Sequence, residues 1–518
     1  MHSKLTKMEQ TWFYAIVLTF LGLIWFFILS KPSHKHQPPS PPSLPIIGHL
    51  HLLNTNQPFH RSLHELSSKY GPIYSLKLGH VRAVVISSSS LVEECFTKND
   101  VVLANRPNNR SSIHFHYNQT TVGSAPYGSH WRNLRRITAS EFFSTTRLNL
   151  LTHIREEEIT SLIKGLLISN NNANIHDYLF TPVQIRPKLF QCFFNIIMRM
   201  LTGKRYDFVE GIDKGLYEVV NELLELGGAS NPIDFFPFLR WFNYGNIEGR
   251  MKNVMTKMEE FFDGVLEECN KFRKDESFSK FGDKMPLIYK LFDLQEENPE
   301  QYSDQIIKGI LLIMLMGGID TAVVTIEWAL ASLLNNQNIL NEAQLEIDSR
   351  IGRDRLVDES DLEKLAFIQN IINETLRLFP AGPLLVPHAS SEDCTIAGYQ
   401  VPKGTMVLIN AWTIHRDPNL WDDPLDFNPK RFEGGKVNEY RTCFIPFGVG
   451  RRSCPGSSLA NRAMTIILAS LLQCFDWETN GGVNVELIEG FGLAMPMATP
   501  LVAMCKPRQD IVNVVLNI

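Results

Sequence analysis

The sequence predicts a mainly α (α+β) fold with a transmembrane helix ahead of it, on three observations. Apolar residues recur at helical spacing in long runs between residues 154 and 475. Strand patterns are few and short. The uncharged stretch 11–30 would be about 30 Å long as a helix, the thickness of a bilayer core.

The chain has 518 residues, 44% hydrophobic and 20% charged, ample for a large core. Its net charge of −5, with the signs interspersed, offers nothing to nucleic acid. Eight cysteines without a Cys-x-x-Cys pair imply neither a disulfide framework nor a zinc site, and fit a reducing compartment.

Residues 1–30 read as a retained membrane anchor. The apolar run is too long for a signal peptide and lacks a small-x-small cleavage site, and Trp12, Tyr14 and Trp25 suit the membrane interface. Residues 31–45 form a spacer, held stiff and extended by the prolines between Gln37 and Pro45. Residues 46–518 form the body. It opens with a helix over 60–70, two strands over 73–78 and 83–86 around Gly79-His80, and a helix capped by Ser90. Residues 106–128 read as a polar loop lining a cavity; its His114 and His116 are weak ground for a metal site. Trp131 and Arg135 share a helix face. Helices follow over 154–168, 186–202, 215–226 and 247–273. An aromatic loop lies over 232–242, and a charged, exposed connection over 267–284.

Ser303 caps the strongest helix, 304–335. It is apolar on all sides over 310–316 and should be buried; Lys308, Asp320 and Glu327 count against a second membrane span. Gly317 and Gly318 weaken it by about 1 kcal/mol each relative to Ala, and an acid and an alcohol, Asp320 and Thr321, follow directly. Asp361 starts a helix that places Glu374 and Arg377 on one face and ends at Pro380. Strands are expected over 384–386, 395–401 and 405–410, and a final hairpin from 491–496 and 501–505.

The stretch 446–456 reads Pro-Phe-Gly-Val-Gly-Arg-Arg-Ser-Cys-Pro-Gly and precedes the apolar helical run 459–475. The pattern suits a metal-bound thiolate. A helix N-terminus offers Cys454 partial positive charge and free N–H groups. Gly450 and Gly456 let the backbone pass close to a flat ligand. Arg452 can neutralise an acidic group on that ligand, and Phe447 can shield the sulfur.

This spacing, Phe-x-x-Gly-x-Arg-x-Cys-x-Gly, resembles the haem-ligand signature of the cytochromes P-450. With 95–107, 195–200, 373–380 and 408–417, the chain is similar to plant microsomal members over its whole length, and most similar to family eighty-one. The resemblance implies a helical prism with a small β-sheet region and a haem b between two helices. It implies O2 as co-substrate, and NADPH as electron source through NADPH–cytochrome P-450 reductase, with cytochrome b5 as a further donor. It places the protein in the endoplasmic reticulum membrane, single-pass, with a cytosolic body. By this resemblance Cys454 is the axial thiolate, and Trp131, Arg135 and Arg452 hold the haem propionates. Glu374, Arg377 and Arg431 form a buried charge triad, and Asp320 and Thr321 relay protons in an oxygen-binding notch. Two departures are Ala322, where Ser or Thr is usual, and Lys430, where Glu is usual.

The expected substrate pocket comprises Ile113, Phe115, Leu315, Ile319, Leu384, Leu385, Phe491 and Leu493. Such an apolar lining suits a small lipophilic molecule. The resemblance implies hydroxylation or oxidative ring closure of a flavonoid, isoflavonoid or other phenylpropanoid, with a terpenoid, then a fatty acid or xenobiotic, as alternatives. Other classes are a haem-thiolate isomerase or dehydratase and a non-enzymatic haem protein; the retained acid–alcohol pair argues against the first. Asn109 and Asn118 head glycosylation sequons expected to stay bare. Arg132 and Arg136 lie off the Trp131 face and are expected to meet the reductase.

Overall fold

The computed structural model describes residues 36–170, 179–208, 214–228, 231–242, 244–275, 281–492 and 494–517, with positions 12, 14, 17–19 and 22 before them. Those early positions are helical; the rest of the expected anchor, and Leu493, lie outside the described residues.

The principal helices are α1 (Phe59–Tyr70), α2 (Ser129–Glu141), α3 (Thr152–Asn170), α4 (Ile185–Thr202), α5 (Ile247–Arg273), α6 (Asp304–Gly318), α7 (Asp320–Asn335), α8 (Ala366–Leu378) and α9 (Ser457–Cys474). Ala322 to Leu334 in α7 are buried without interruption, as an all-round apolar segment requires. Around α7 pack α4, α8 and α9; α4 also meets α3 and α6. Asp304–Asn335 is the one stretch among the described residues long and apolar enough to cross a membrane, but 72% of it is buried inside the protein, so its partners are helices.

The strands are β1 (Ile73–Leu78), β2 (Val81–Ile86), β3 (Thr181–Gln184), β4 (His388–Ala389), β5 (Cys394–Ile396), β6 (Tyr399–Val401), β7 (Met406–Ile409), β8 (Phe475–Thr479) and β9 (Val502–Pro507). They form a four-stranded sheet in the order β1-β2-β7-β4, a three-stranded sheet β3-β9-β8 and the hairpin β5-β6. The β1–β2 hairpin pairs Leu78 with Val81 across Gly79-His80; β2 and β7 run parallel.

Several local expectations are corrected. Residues 384–386 are not a strand: Leu385 is left-handed (φ +53°), and Pro387 has no N–H for a ladder. The final hairpin does not form between 491–496 and 501–505, because β9 is taken by β3 and β8. Ser303 stands at the N-cap of α6 without a side-chain bond, and Ser90 lies inside the helix Ser89–Thr97. Asp358, not Asp361, caps a 3-10 turn ahead of α8. The expected connection over 267–284 begins as the last turns of α5.

Candidate active site

The cysteine loop is a backbone construction. Gly448 and Gly450 are left-handed, at φ +68° and +72°. A Cβ on Gly450 would stand 2.5 Å from Asp100 Oδ1 and 2.9 Å from Phe96 Cδ1, so only glycine fits. The turn returns the Cys454 N–H to Phe447 O at 2.8 Å. This puts the sulfur at the mouth of α9, where the Gly456 and Ser457 amides donate to it. Cys454 lies deep in the protein, yet its side chain is uncovered, so it faces an internal hollow rather than the outer surface. Burial pushes the thiol up; the Gly456 amide, Arg135 and the Ser457 amide pull it back.

A second open position lies where α6 meets α7. Gly317 is exposed inside an otherwise buried helix, and a Cβ there would meet nothing within 4 Å. On neighbouring Gly318 it would stand 2.9 Å from Ile197 Cδ1 of α4. The helix breaks at Ile319 (φ −95°, ψ −71°). Thr321 Oγ1 donates to Gly317 O at 2.8 Å, the carbonyl an unbroken helix would give to the Thr321 amide. Asp320 Oδ2 accepts from the Ala494 N–H at 3.3 Å. Burial pushes the Asp320 carboxyl up, the Ala494 amide and Arg186 oppose this, and Glu327 reinforces it.

Ile313, Gly317 and Thr321, four residues apart, are the open positions of this face. Leu315 and Ile319 lie on the opposite face, wholly buried, and Phe115 is wholly buried too. Ile113, Leu384 and Leu385 are half-buried, and Phe491 is 68% exposed. Ala322, where Ser or Thr is usual, is buried. His114 and His116 bond to Glu248 and Thr121, and no metal-binding cluster occurs among the described residues.

Arginines gather beside the cysteine loop. Arg452 donates to Ala104 O at 2.6 Å, Val122 O at 3.2 Å and Ala125 O, and stands 4.5 Å over the Trp131 ring. Trp131 Nε1 donates to the same Val122 O at 3.0 Å. Arg106, a site residue that motif reading missed, donates to Val386 O at 2.6 Å and Pro387 O at 2.9 Å. All these acceptors are uncharged carbonyls. Burial brings Arg106 down to about 9, with Arg452 adding to the shift, and Arg452 down to about 10, with Arg135 adding. Half-buried Arg135 senses Cys454 directly. Cations left without carboxylates fit a ligand that brings its own.

Residues 38–504 match the cytochrome P-450 family. The chain belongs to that family. Isoflavone 2'-hydroxylase of Glycyrrhiza echinata is 45% identical over 96% of this chain and 97% of its own. The (+)-piperitol/(+)-sesamin synthase of Sesamum radiatum is 45% identical over 95% of this chain and 96% of its own. Cytochrome P-450 81Q32 of Catharanthus roseus is 45% identical over 97% of each chain. Family eighty-one is thus the P-450 family it most resembles. A zebrafish cytochrome P-450 solved with progesterone shares the fold, with TM-score 0.73 and 24% identity, over 88% of this chain and 100% of that one.

This P-450 is a monooxygenase that uses haem b and O2, with electrons from NADPH through a reductase. The open sulfur, the space above Gly317 and the carboxylate-free guanidiniums fit that flat, dianionic group.

Behind the loop, Arg377 of this P-450 grips Glu374 through Nε–Oε2 at 2.7 Å and Nη2–Oε1 at 2.8 Å, and Arg431 Nε reaches Oε1 at 2.9 Å. The remaining guanidinium N–H groups go to the carbonyls of His415, Pro424, Asp426, Asp422 and Asp423. His415 links this cluster to the cysteine loop. Its Nδ1 donates to Arg377 O at 3.1 Å, and its Nε2 accepts the Ile445 N–H at 3.0 Å, which fixes the neutral tautomer. Lys430 turns outward to Glu342 at 2.9 Å, so the triad stays intact.

Proposed function

We propose that this enzyme hydroxylates, or closes a ring on, a small lipophilic plant aromatic: an isoflavone, flavonoid or related phenylpropanoid. The likeness over nearly the whole chain to isoflavone hydroxylases and a sesamin synthase carries the reading. The half-buried apolar side chains of Ile113, Ile313, Leu384 and Leu385 suit such a molecule.

Cys454 would hold the haem iron through its thiolate, with Phe447, Gly450 and Gly456 shaping its loop; Arg135, Arg452 and Trp131, joined by Arg106, would hold the propionates. Haem, when bound, supplies the oxidising centre. The protein's share is proton handling and exclusion of water. The Gly456 and Ser457 amides hold the thiolate charge. Thr321 presents a hydroxyl beside the open Gly317, and Asp320, its carboxyl raised by burial, reprotonates it. Glu374, Arg377 and Arg431 brace the segment behind the cysteine loop, the region that would lie beneath a bound haem.

Residues 1–30 anchor the protein in the endoplasmic reticulum membrane, 31–45 are the spacer and 46–518 the cytosolic catalytic body. Trp241, 86% exposed beside half-exposed Phe238, gives the body a second contact with the bilayer. Reductase, and in support cytochrome b5, dock on the thiolate side. Asn109 is already occupied as a helix cap, its side chain accepting the Ser112 N–H. A glycosidase-sensitive mass shift would contradict this topology.

Microsomes with a plant reductase and NADPH, screened against phenolics, terpenoids and fatty acids by mass, test the substrate. A gain of one oxygen marks hydroxylation, and a loss of two hydrogens marks ring closure. Conversion of a terpenoid but no phenolic overturns the substrate reading; turnover without NADPH points to an isomerase or dehydratase instead.

A further inference from the structure

Residues 488–490 pair with residues 496–498. The Gly490 N–H donates to Pro496 O and the Ala498 N–H to Ile488 O, both at 2.8 Å, and Glu489 bridges Met497. A Cβ on Gly492 would stand 2.8 Å from Ala494 O, so the turn admits no side chain there. The loop then offers backbone groups to α7: Met495 O accepts from Trp328 Nε1 at 2.9 Å, and the Ala494 N–H donates to Asp320 Oδ2 at 3.3 Å.

At the root of the loop sits Glu489, its side chain 1% exposed. Its Oε2 accepts from His60 Nε2 at 2.8 Å and Arg61 Nε at 2.6 Å, and its Oε1 from Trp412 Nε1 at 2.7 Å. Arg416 lies 4.0 Å from Oε1 and stacks over the Trp412 ring. One carboxylate therefore ties the loop to α1 and to the segment after β7. Burial opposes its ionisation, but the bonds from His60 and Arg61 outweigh burial and hold the carboxyl at about 2. The chemistry described above makes no use of this buried anion.

We propose that Glu489 is a positioning residue for proton delivery: by pinning the root of the loop, it fixes the Ala494 N–H that orients the Asp320 carboxylate. This rests on the reading of Asp320 as the relay acid. In productive turnover NADPH, a proton, O2 and substrate give NADP+, hydroxylated product and water. When delivery fails, NADPH, a proton and O2 give NADP+ and hydrogen peroxide, with the same two electrons. Glu489 touches neither substrate nor oxygen, so it acts on the partition between these outcomes.

The test uses the full-length enzyme with reductase and NADPH, and reads peroxide released per NADPH with and without the isoflavone daidzein. Glu489→Gln and the milder Trp412→Phe, which removes one donor, are expected to raise that ratio with haem content and the thiolate-type ferrous–CO spectrum unchanged. The rise expected for Glu489→Gln is about twofold or more, as for a slightly misplaced catalytic group. Asp320→Asn should raise the ratio at least as far, and Glu489→Gln added to it should change nothing further. An unchanged ratio in both Glu489→Gln and Trp412→Phe, with Asp320→Asn raised, overturns the inference and leaves Asp320 in its role. Effects that multiply in the double variant also overturn it. No extra peroxide from Asp320→Asn removes the relay reading, and this inference with it. If Glu489→Gln loses its haem, Trp412→Phe decides.

Discussion

Gly317 and Gly318 are neighbours in sequence with opposite surroundings. Gly317→Ala puts its methyl into open space and removes a helix-weakening residue, so the fold should hold or gain about 1 kcal/mol. The methyl fills the notch, so NADPH-driven turnover should fall. Gly318→Ala meets Ile197 and should cost about 1–3 kcal/mol. Thermal unfolding alongside turnover checks both; equal behaviour of the two variants would count against the assignment. Glu374 is the other sensitive residue. Glu374→Gln leaves buried Arg377 and Arg431 without their anion, a loss of about 3–5 kcal/mol. The expected result is a shrunken thiolate-type ferrous–CO band at equal protein.

At the scale of elements, long helices were legible because their apolar spacing extends over many turns: α5 and the break between α6 and α7 lie where the pattern puts them. The cysteine loop was legible because its glycines answer a local demand, a left-handed φ of +68° at Gly448 and +72° at Gly450. Features set by distant partners were not legible. Nothing local in 384–387 says that Arg106 takes its carbonyls, and β9 pairs with strands on both sides that no neighbouring pattern announces. Pocket residues were harder still, because only two positions along the chain separate open Gly317 from wholly buried Ile319. Arg106→Lys tests the missed contact. A lysine cannot fork between Val386 O and Pro387 O, and substrate binding, read as a spectral titration, should weaken by about tenfold, the equivalent of one lost hydrogen bond to a charged donor.

For the whole molecule, buried histidines limit acid tolerance, and two of them are held furthest down. Burial brings His388 and His415 down to about 3, with Arg106 and Arg416 respectively adding to the shift. Unfolded, each binds a proton near pH 6.5, and the folded protein excludes it. Their contribution is complete above pH 6.5 and is lost as pH falls from there toward 3, by about 2 kcal/mol per histidine at pH 5. The apparent melting temperature should therefore drop between pH 7.5 and 5.5; a flat profile would refute this. On the outer surface, Arg132 and Arg136 are both exposed. Changing both to Glu should slow reductase-supported turnover and flatten its salt dependence, leaving haem spectra as they were.

The parallel pairing of β2 with β7 joins residues 81–86 to residues 406–409. A ribosome adding about 5–20 residues per second needs roughly 15–60 s to make the chain between them. During that interval the β1–β2 hairpin is finished but its inner edge has no partner, and β3 waits about as long for β9. The cysteine loop, at residues 446–456, emerges after β7. Haem capture therefore comes late in synthesis, and until then the nascent N-terminal half carries an unpaired strand edge that must be kept from finding another chain.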